Sequence, residues 1–144
     1  MSRILLISSN TCDVPYAVYP LGMATVARAL IAAGHQVSQI DWLAAQRDAG
    51  RLESAIAEFG PEVVAVSIRN VDRIDSLAQS EDAWELNEAR DMVASVRRFT
   101  SVPILVGGAA VSVMPQEVRR YVGADTAVPG EGEHSLVEIG RASL

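Results

Sequence analysis

The sequence predicts an α/β protein in which a doubly wound sheet of five parallel strands carries helices on both faces. Short apolar runs alternate with segments of helical periodicity along the 144 residues. Because each helix carries the chain from one strand to the next, the crossovers are right-handed and the strands are parallel. Two of the runs, Val63–Ser67 and Pro103–Val106, are almost wholly apolar, which is typical of strands that are covered on both faces.

The first half of the chain is predicted to contain three strands and two helices. The first helix ends at Gly34, since glycine readily adopts the left-handed conformation of a helix C-cap. The second strand alternates polar and apolar residues, as expected of a half-exposed edge strand. In order, the elements are the strand Arg3–Ser8, the helix Leu21–Ala33, the strand Gln36–Leu43, the helix Arg51–Phe59 and the strand Val63–Ser67.

The second half is predicted to add three helices and two strands after a long polar segment, Asn70–Asp82. That segment is the one connection long enough to act as a lid or an interdomain contact. The first, third and fourth strands are the most hydrophobic, which predicts the strand order 2-1-3-4-5, the flavodoxin-like (Rossmann-like) arrangement. The elements are the helix Trp84–Phe99, the strand Pro103–Val106, the helix Pro115–Val122, the strand Ala124–Val128 and the helix Glu133–Ala142.

Length, charge and cysteine count restrict the class of protein. A chain of 144 residues, 49% of them hydrophobic, is long enough for one domain with a sizeable core. The net charge of −6, with scattered basic residues, argues against nucleic acid as a partner. The apolar runs are too short for a membrane span and no secretory signal precedes the first strand, so we expect a cytoplasmic protein. The single cysteine, Cys12, excludes an internal disulfide and a multi-cysteine metal site within these residues.

Residues suited to ligand contact follow four of the predicted strands. In an open parallel sheet the carboxyl ends of the strands share one edge, and ligands bind there at the switch point, here between the first and third strands. Glycine turns let the backbone approach a bulky ligand, and a serine at a strand end can bond a buried heteroatom. The candidate binding residues are Asn10, Thr11, Ser67, Ile68, Arg69, Asn70, Gly107, Gly108, Ala109, Gly130, Glu131 and Gly132.

Several of these candidates also have a purely structural interpretation. Gly107-Gly108 is equally well explained as a tight turn from strand to helix. The charge of Arg69 is costly directly after a buried strand unless it has a partner. That partner is a ligand in one interpretation, but a solvated loop position or an ion pair with Asp72 explains the residue equally well. Glu131 is harder to explain structurally, because it lies at a strand end that faces the predicted site.

The remaining polar and aromatic residues are expected to have no ligand role. His35 is predicted in a surface turn at the opposite end of the sheet, and His134 at the surface of the last helix. Cys12 is expected to be unreactive, because no histidine or aspartate is positioned by a motif to activate it. Trp42 and Trp84 are predicted to be packing residues.

The predicted loops lack the motifs of the common nucleotide-binding and signalling sites of α/β proteins. No G-x-G-x-x-G follows the first strand, which weakens a dinucleotide-binding interpretation, and the sequence contains no P-loop. A response-regulator receiver needs clustered acids after the first strand, whereas serines stand there, and it needs a lysine after the fifth strand, where Val128 is followed by a proline.

Five short motifs lie in register along the chain: Pro20-Leu21-Gly22, Ala33-Gly34-His35-Gln36-Val37, Gly60-Pro61-Glu62-Val63-Val64, Ile104-Leu105-Val106-Gly107-Gly108 and Gly130-Glu131-Gly132-Glu133. Together they resemble the N-terminal cobalamin (B12)-binding domain of B12-dependent radical S-adenosylmethionine enzymes. The resemblance covers nearly the whole chain. It implies that residues 1–144 form one cobalamin-binding domain, the N-terminal part of a longer enzyme.

The resemblance implies cobalamin as cofactor, bound base-off, with its nucleotide tail displaced from cobalt. It also implies a place for each group of candidate residues. Asn10 and Thr11 would lie near the corrin, and Ser67 and Ile68 would line the pocket. Gly107, Gly108 and Ala109 would let the backbone close on the tail, and Gly130, Glu131 and Gly132 would cover the far side.

Two departures from related domains bear on the chemistry. Mutases and methionine synthases of this kind carry D-x-H-x-x-G after the first strand, and its histidine ligates cobalt. Here the stretch Ser8–Asp13 has no histidine, so the resemblance implies cobalamin without a protein ligand from that position. The radical enzymes also carry C-x-x-x-C-x-x-C for a [4Fe–4S] cluster. With one cysteine this chain cannot itself cleave S-adenosylmethionine, so the cluster and S-adenosylmethionine are expected in a radical S-adenosylmethionine domain in cis.

Arg69 is the one candidate expected to act on the chemistry. Beneath the corrin, its protonated guanidinium is a poor metal ligand, would discourage a lower ligand and would stabilise an electron-rich cobalt. A cobalt without a lower ligand favours methyl transfer. The parent is therefore expected to be a cobalamin-dependent radical S-adenosylmethionine methyltransferase whose methyl acceptor the sequence does not identify.

Three other functions stay open on the residues alone. One is a stand-alone cobalamin carrier or sensor. Another is a flavodoxin-like module that binds flavin or another nucleotide-type ligand. The third is a protein-interaction domain that uses the polar segment Asn70–Asp82.

Overall fold

Five parallel strands form one sheet in the computed structural model, which describes residues 1–13, 15–71 and 85–142. The strand order is β2-β1-β3-β4-β5, so the predicted flavodoxin-like arrangement is confirmed. The strands are β1 (Arg3–Ser8), β2 (Gln36–Asp41), β3 (Val63–Ser67), β4 (Ile104–Gly107) and β5 (Thr126–Val128).

Six helices in the described ranges connect and cover these strands. Five correspond to predicted helices with bounds that agree within two residues, and the short fourth helix was not predicted. The helices are α1 (Leu21–Ala32), α2 (Ala49–Phe59), α3 (Glu85–Phe99), α4 (Ala109–Val113), α5 (Pro115–Val122) and α6 (Gly132–Ala142). None of them is long and apolar enough to cross a membrane, within the described part of the chain.

The sheet separates two apolar clusters because successive side chains of a strand point to opposite faces. On β1, Leu5 and Ile7 belong to the cluster that packs against α2, α3, α4 and α5. The neighbouring Ile4 and Leu6 belong to the cluster that packs against α1 and α6. β2 is only half-buried along its length, as predicted for an edge strand.

The strand ends that the sequence singled out lie side by side. Ser8 of β1 is the register partner of Ser67 of β3, Ser67 is the partner of Gly107 of β4, and Gly107 is the partner of Val128 of β5. The carboxyl edge of the sheet is therefore built from the residues that begin the candidate loops.

His35 is buried, so its predicted surface position is wrong. The side chain is only 6% exposed, and its Nδ1 accepts a hydrogen bond from the main-chain N–H of Ser2 at 3.2 Å. A Cβ built on Gly140 of α6 would lie 3.0 Å from the His35 Nε2. The ring fits between the start of β1 and α6 because residue 140 has no side chain.

Other packing predictions agree with the structure where it describes them. Trp42 is buried in the larger cluster and His134 is exposed, both as predicted. Residues 72–84, which include Trp84 and all of the predicted lid except Asn70 and Val71, lie outside the described residues.

Candidate functional site: a cavity at the carboxyl edge

A cavity of about 280 Å³ opens at the carboxyl edge, between the sheet and the helices α1 and α6. Its floor is formed by Leu6, Ala65 and Leu105, one from each of the three central strands. Met23 and Val26 of α1 line it as well. The deep part of the cavity is therefore apolar.

Strand alternation brings one hydroxyl group to this cavity. Val63 and Ala65 belong to the cluster on the cavity face, and Ser67 follows in the same alternation at the end of β3. Ser67 lines the cavity, and its hydroxyl has no hydrogen-bond partner among the described residues. Its carbonyl oxygen accepts both the N–H and the hydroxyl of Ser9, at 3.1 Å and 2.9 Å. The loop after β1 is thereby held against the end of β3.

Gly108, which directly follows β4, is required by the close approach of two chain segments. Gly108 has φ +103°, and a Cβ at this position would lie 2.5 Å from the carbonyl oxygen of Ile68. No L side chain fits at that distance. The turn therefore keeps the end of β4 and the first turn of α4 directly against the exit of β3, and Gly107 and Gly108 both line the cavity.

A serine that the sequence analysis missed connects the two glycine loops. The Ser112 hydroxyl donates to the carbonyl of Gly108 at 3.2 Å and accepts the N–H of Gly130 at 2.9 Å. Ser112 lies in α4, so the loop after β5 is fastened to the start of this helix. The signal for it was the run A-A-V-S-V, whose five residues are too few for a clear helical period.

The structure brings some of the predicted binding residues together at the cavity and leaves others outside its lining. Ile68 is 1% exposed and packs in the cluster on the opposite face, and Arg69 is exposed. The predicted residues that line the cavity are Ser67, Gly107, Gly108, Ala109, Gly130, Glu131 and Gly132, and those outside the lining are Asn10, Thr11, Ile68, Arg69 and Asn70.

Asn10 and Thr11 are buried in the loop after β1, at 8% and 3% exposure. The Asn10 side chain bonds the main chain of Cys12 in both directions, at 3.3 Å and 3.4 Å. Asn10 thus shapes the loop itself. The alternative ion pair of Arg69 with Asp72 involves a residue outside the described ranges.

Apart from Ser67, the polar side chains that line the cavity lie at its mouth. Glu131 is exposed and Glu133 is half-buried, and both line the opening together with Ser112. In residues 1–13, 15–71 and 85–142, no group of three or more histidine, cysteine, aspartate or glutamate side chains is arranged to hold a metal ion.

The sequence analysis missed the cavity residues of α1, namely Gly22, Met23 and Val26, because their periodicity indicated only a helix that packs on the sheet.

The chain matches the family model described as the B12 binding domain over residues 9–140. It belongs to the B12-binding domain family. The family is the one that the sequence motifs resemble, and its cofactor is the one expected from them.

The chain matches one part of several longer enzymes. This chain is 30% identical to a tryptophan 2-C-methyltransferase from Streptomyces laurentii, over 96% of this chain and 22% of that protein. The radical S-adenosylmethionine methyltransferase TsrM from Kitasatospora setae, with cobalamin and a [4Fe-4S] cluster bound, matches with a TM-score of 0.89 and 29% identity, over 99% of this chain and 25% of that one. The chain thus spans about a quarter of these relatives.

A more distant enzyme has the same fold. The cobalamin-dependent S-adenosylmethionine radical enzyme OxsB matches with a TM-score of 0.65 at 15% identity, over 100% of this chain and 19% of that one. At this identity the likeness concerns the fold of the domain.

Proposed function

We propose that this domain holds cobalamin with the nucleotide tail in the cavity and the corrin across the carboxyl edge, as the cofactor domain of a radical S-adenosylmethionine methyltransferase. The observation that carries the proposal is the apolar cavity at the switch point, with a mouth formed by glycines. This is where an open α/β sheet binds its ligand.

The size of the cavity supports partial insertion of a ligand. Pockets for whole small molecules measure about 300–1,000 Å³, and this cavity measures about 280 Å³. It therefore suits a single flat ring system attached to a larger body that stays outside. Cobalamin has that shape: a corrin macrocycle with a tail that ends in dimethylbenzimidazole.

The residues at the mouth fit the passage of such a tail. A Cβ on Gly132 would lie 3.2 Å from a methyl group of Val26, which would narrow the opening between α1 and α6. The turn at Gly108 keeps bulk away from the other side. The Ser67 hydroxyl, which has no hydrogen-bond partner among the described residues, can donate to a ring nitrogen of the inserted base, since buried polar atoms need a partner.

A base-off cobalt without a protein ligand is the second part of the proposal. Ser8–Asp13, the loop that carries the histidine in related domains, contains none, and the buried His35 lies at the opposite edge of the sheet. Arg69, exposed just after β3, is proposed to lie beneath the corrin, where its permanent charge discourages a lower ligand. When bound, cobalamin supplies the metal through which a methyl group passes, while the protein supplies binding and electrostatics.

The remainder of the reaction is proposed to lie in the parent enzyme. The 144 residues contain one cysteine, so the [4Fe–4S] cluster and S-adenosylmethionine require a domain outside them. A C-x-x-x-C-x-x-C motif in the continuation of the chain would support this assignment. Its absence from the parent would favour a cobalamin carrier or sensor instead.

The binding test uses the purified 144-residue chain and hydroxocobalamin. We expect a retained red or orange cofactor with a base-off absorbance spectrum after gel filtration. Retention of a yellow, fluorescent flavin in preference to cobalamin, or no retention of cobalamin, would overturn the proposal.

The role of Arg69 is tested separately by electrochemistry of the loaded protein. Arg69→Leu is expected to change the Co(II)/Co(I) potential or the coordination of the cobalt. The matched control is Arg28→Leu, an exposed arginine of α1 that does not line the cavity. If both variants match the wild type in potential and coordination, Arg69 has no part in tuning the metal.

A further inference from the structure

We infer that the cavity selects corrinoids by the polarity of the lower base, so that it takes a benzimidazole-type base and discriminates against an adenine-type base. The inference rests on the proposed function, because it assumes that the tail enters the cavity. It names the class of corrinoid that the same site accepts.

Apart from the Ser67 hydroxyl, the side chains of the deep cavity offer no strong hydrogen bond to a polar base. The floor is hydrocarbon, from Leu6, Ala65 and Leu105, and Leu136 of α6 adds a further aliphatic group. Met23 contributes a thioether, which is a weak acceptor.

The main chain at the floor of the cavity is also closed to a ligand. β1 pairs with β2 and β3, β3 pairs with β1 and β4, and β4 pairs with β3 and β5. Each of the three floor strands is therefore hydrogen-bonded on both sides. The main chain of α1 and α6 bonds within the helices beyond their first turns, and those first turns lie at the carboxyl edge, at the mouth of the cavity. The polar side chains that line the cavity, Ser67, Ser112, Glu131 and Glu133, all belong to strand ends or to the mouth.

The two kinds of base differ in what they require from such a lining. Dimethylbenzimidazole carries two methyl groups and, away from its ribose bond, one ring nitrogen that accepts a hydrogen bond. The Ser67 hydroxyl suffices for that nitrogen. Adenine carries an exocyclic amino donor and three such acceptors, so most of its polar atoms would be buried unpaired. A buried polar atom without a partner weakens binding by about tenfold or more, so we expect an adenine base to bind about 10- to 100-fold more weakly.

The test compares three corrinoids on the 144-residue chain: hydroxocobalamin, the analogue whose lower base is adenine, and cobinamide, which has no base. The dissociation constants are measured by absorbance titration. We expect cobalamin to bind most tightly and the adenine analogue to bind about 10- to 100-fold more weakly.

Each other outcome is distinguishable. Equal affinity for the two complete corrinoids, both above cobinamide, would show that a base enters without selection and would overturn the inference while leaving the proposed function intact. Equal affinity for cobalamin and cobinamide would place the base outside the cavity, which would overturn the inference and the proposed position of the tail but leave cobalamin binding intact. No binding of any corrinoid would overturn the proposed function.

Variants of the α1 wall supply the second measurement. Val26→Thr and Met23→Gln each place a polar group on the cavity lining, and both are expected to narrow the affinity ratio between cobalamin and the adenine analogue severalfold. Val37→Thr is the matched control, because Val37 is a partly buried valine packed against the same cluster but does not line the cavity. A ratio that changes equally in Val26→Thr and Val37→Thr would contradict the inference.

Discussion

Gly108 is the residue on which the geometry of the cavity mouth depends most directly. Its positive φ and the 2.5 Å from a built Cβ to the Ile68 carbonyl oxygen exclude every side chain. The same carbonyl accepts the N–H of Ala110 at 3.3 Å, which fastens the first turn of α4 to β3. A methyl group at residue 108 would separate these two segments.

Replacement of Gly108 is therefore expected to be costly. Gly108→Ala should lower the free energy of unfolding by about 1–3 kcal/mol, from backbone strain and the clash together. Gly123→Ala is the matched control, because Gly123 has φ +77° with nothing within 4 Å of a built Cβ, so it isolates the conformational cost. Urea denaturation of both variants measures the difference, and equal losses would contradict the proposed clash.

Ser112 provides the second prediction at this scale. Ser112→Ala removes the hydroxyl that joins Gly108 and Gly130, and we expect cobalamin to dissociate about 2- to 10-fold faster because a hydrogen bond of this kind contributes about 1 kcal/mol. Ser112→Thr should restore the wild-type rate, and Ser54→Ala on α2, across the sheet, should leave it unchanged. Stopped-flow displacement by excess cobinamide measures the rate. An unchanged rate in Ser112→Ala would show that the loop is held by other contacts.

At the scale of the element, the best-predicted segments were two central strands and one short helix. β1, β3 and α5 have the predicted bounds at both ends. β4 begins at Ile104 because Pro103 has no N–H to contribute to the ladder. β5 is shorter than predicted because the N–H groups of Ala124 and Asp125 bond Arg119 and Ile104 before regular pairing begins.

Asp125 links α3 to β4, and the pKa of its carboxyl group is shifted by the contacts that make this link. Its carboxylate accepts the N–H of Ile104 at 2.7 Å and a guanidinium N–H of Arg97 at 2.5 Å. Burial alone raises the pKa of Asp125, but the hydrogen bond from Ile104, the hydrogen bond and charge of Arg97, and the charge of Arg119 together lower it below the usual 3.8.

This shift predicts an acid-sensitive stabilisation. Because the folded-state pKa is below the unfolded one, the contribution is complete above the unfolded value and is lost as the pH falls through the folded value. Asp125→Asn should cost no more than about 1 kcal/mol at pH 7, since the pair is half-exposed, and the deficit should shrink below about pH 4.

Urea unfolding across this pH range measures the effect. The control is Asp91→Asn, which removes an exposed carboxylate of α3 that pairs with its neighbour Arg90. A deficit of Asp125→Asn that is the same at pH 3 and pH 7 would show that the carboxylate charge contributes nothing.

At the scale of the whole molecule, the two faces of the sheet are packed unequally. The larger cluster lies with α2 to α5, whereas the cavity interrupts the cluster beneath α1 and α6. An inserted base would complete the packing of the weaker face. If the base inserts as proposed, ligand binding is coupled to folding mainly through α1 and α6.

This coupling predicts a large thermal shift. At a cobalamin concentration of 100 times the dissociation constant, the folded state gains about 2.7 kcal/mol, and the melting temperature should rise with ligand concentration. Cobinamide should raise the melting temperature less, and flavin mononucleotide should not raise it at all.

Hydrogen exchange supplies a second measurement of the same coupling. The loaded chain should show more added protection in α1 and α6 than in α2, and equal added protection on both faces of the sheet would contradict insertion of the base.

The order of the strands and the edge that carries the site followed from the sequence, because hydropathy and period determine which strands are central. The cavity did not follow. Its lining includes small residues from distant parts of the chain, Gly22, Ala65 and Gly132, and their position around one cavity depends on helix placement. The buried position of His35 was missed for the same reason, since it depends on Gly140 more than one hundred residues away.

The contact between Ser2 and α6 has a practical consequence. The Ser2 hydroxyl donates to the carbonyl of Gly140 at 2.8 Å, so the first strand and the last helix meet at the edge opposite the cavity. An immobilisation tag or a fluorophore attached near either position would leave the cofactor entrance facing free solution. A short peptide bridge between the two positions would also permit circular permutation, with new termini opened in an exposed turn.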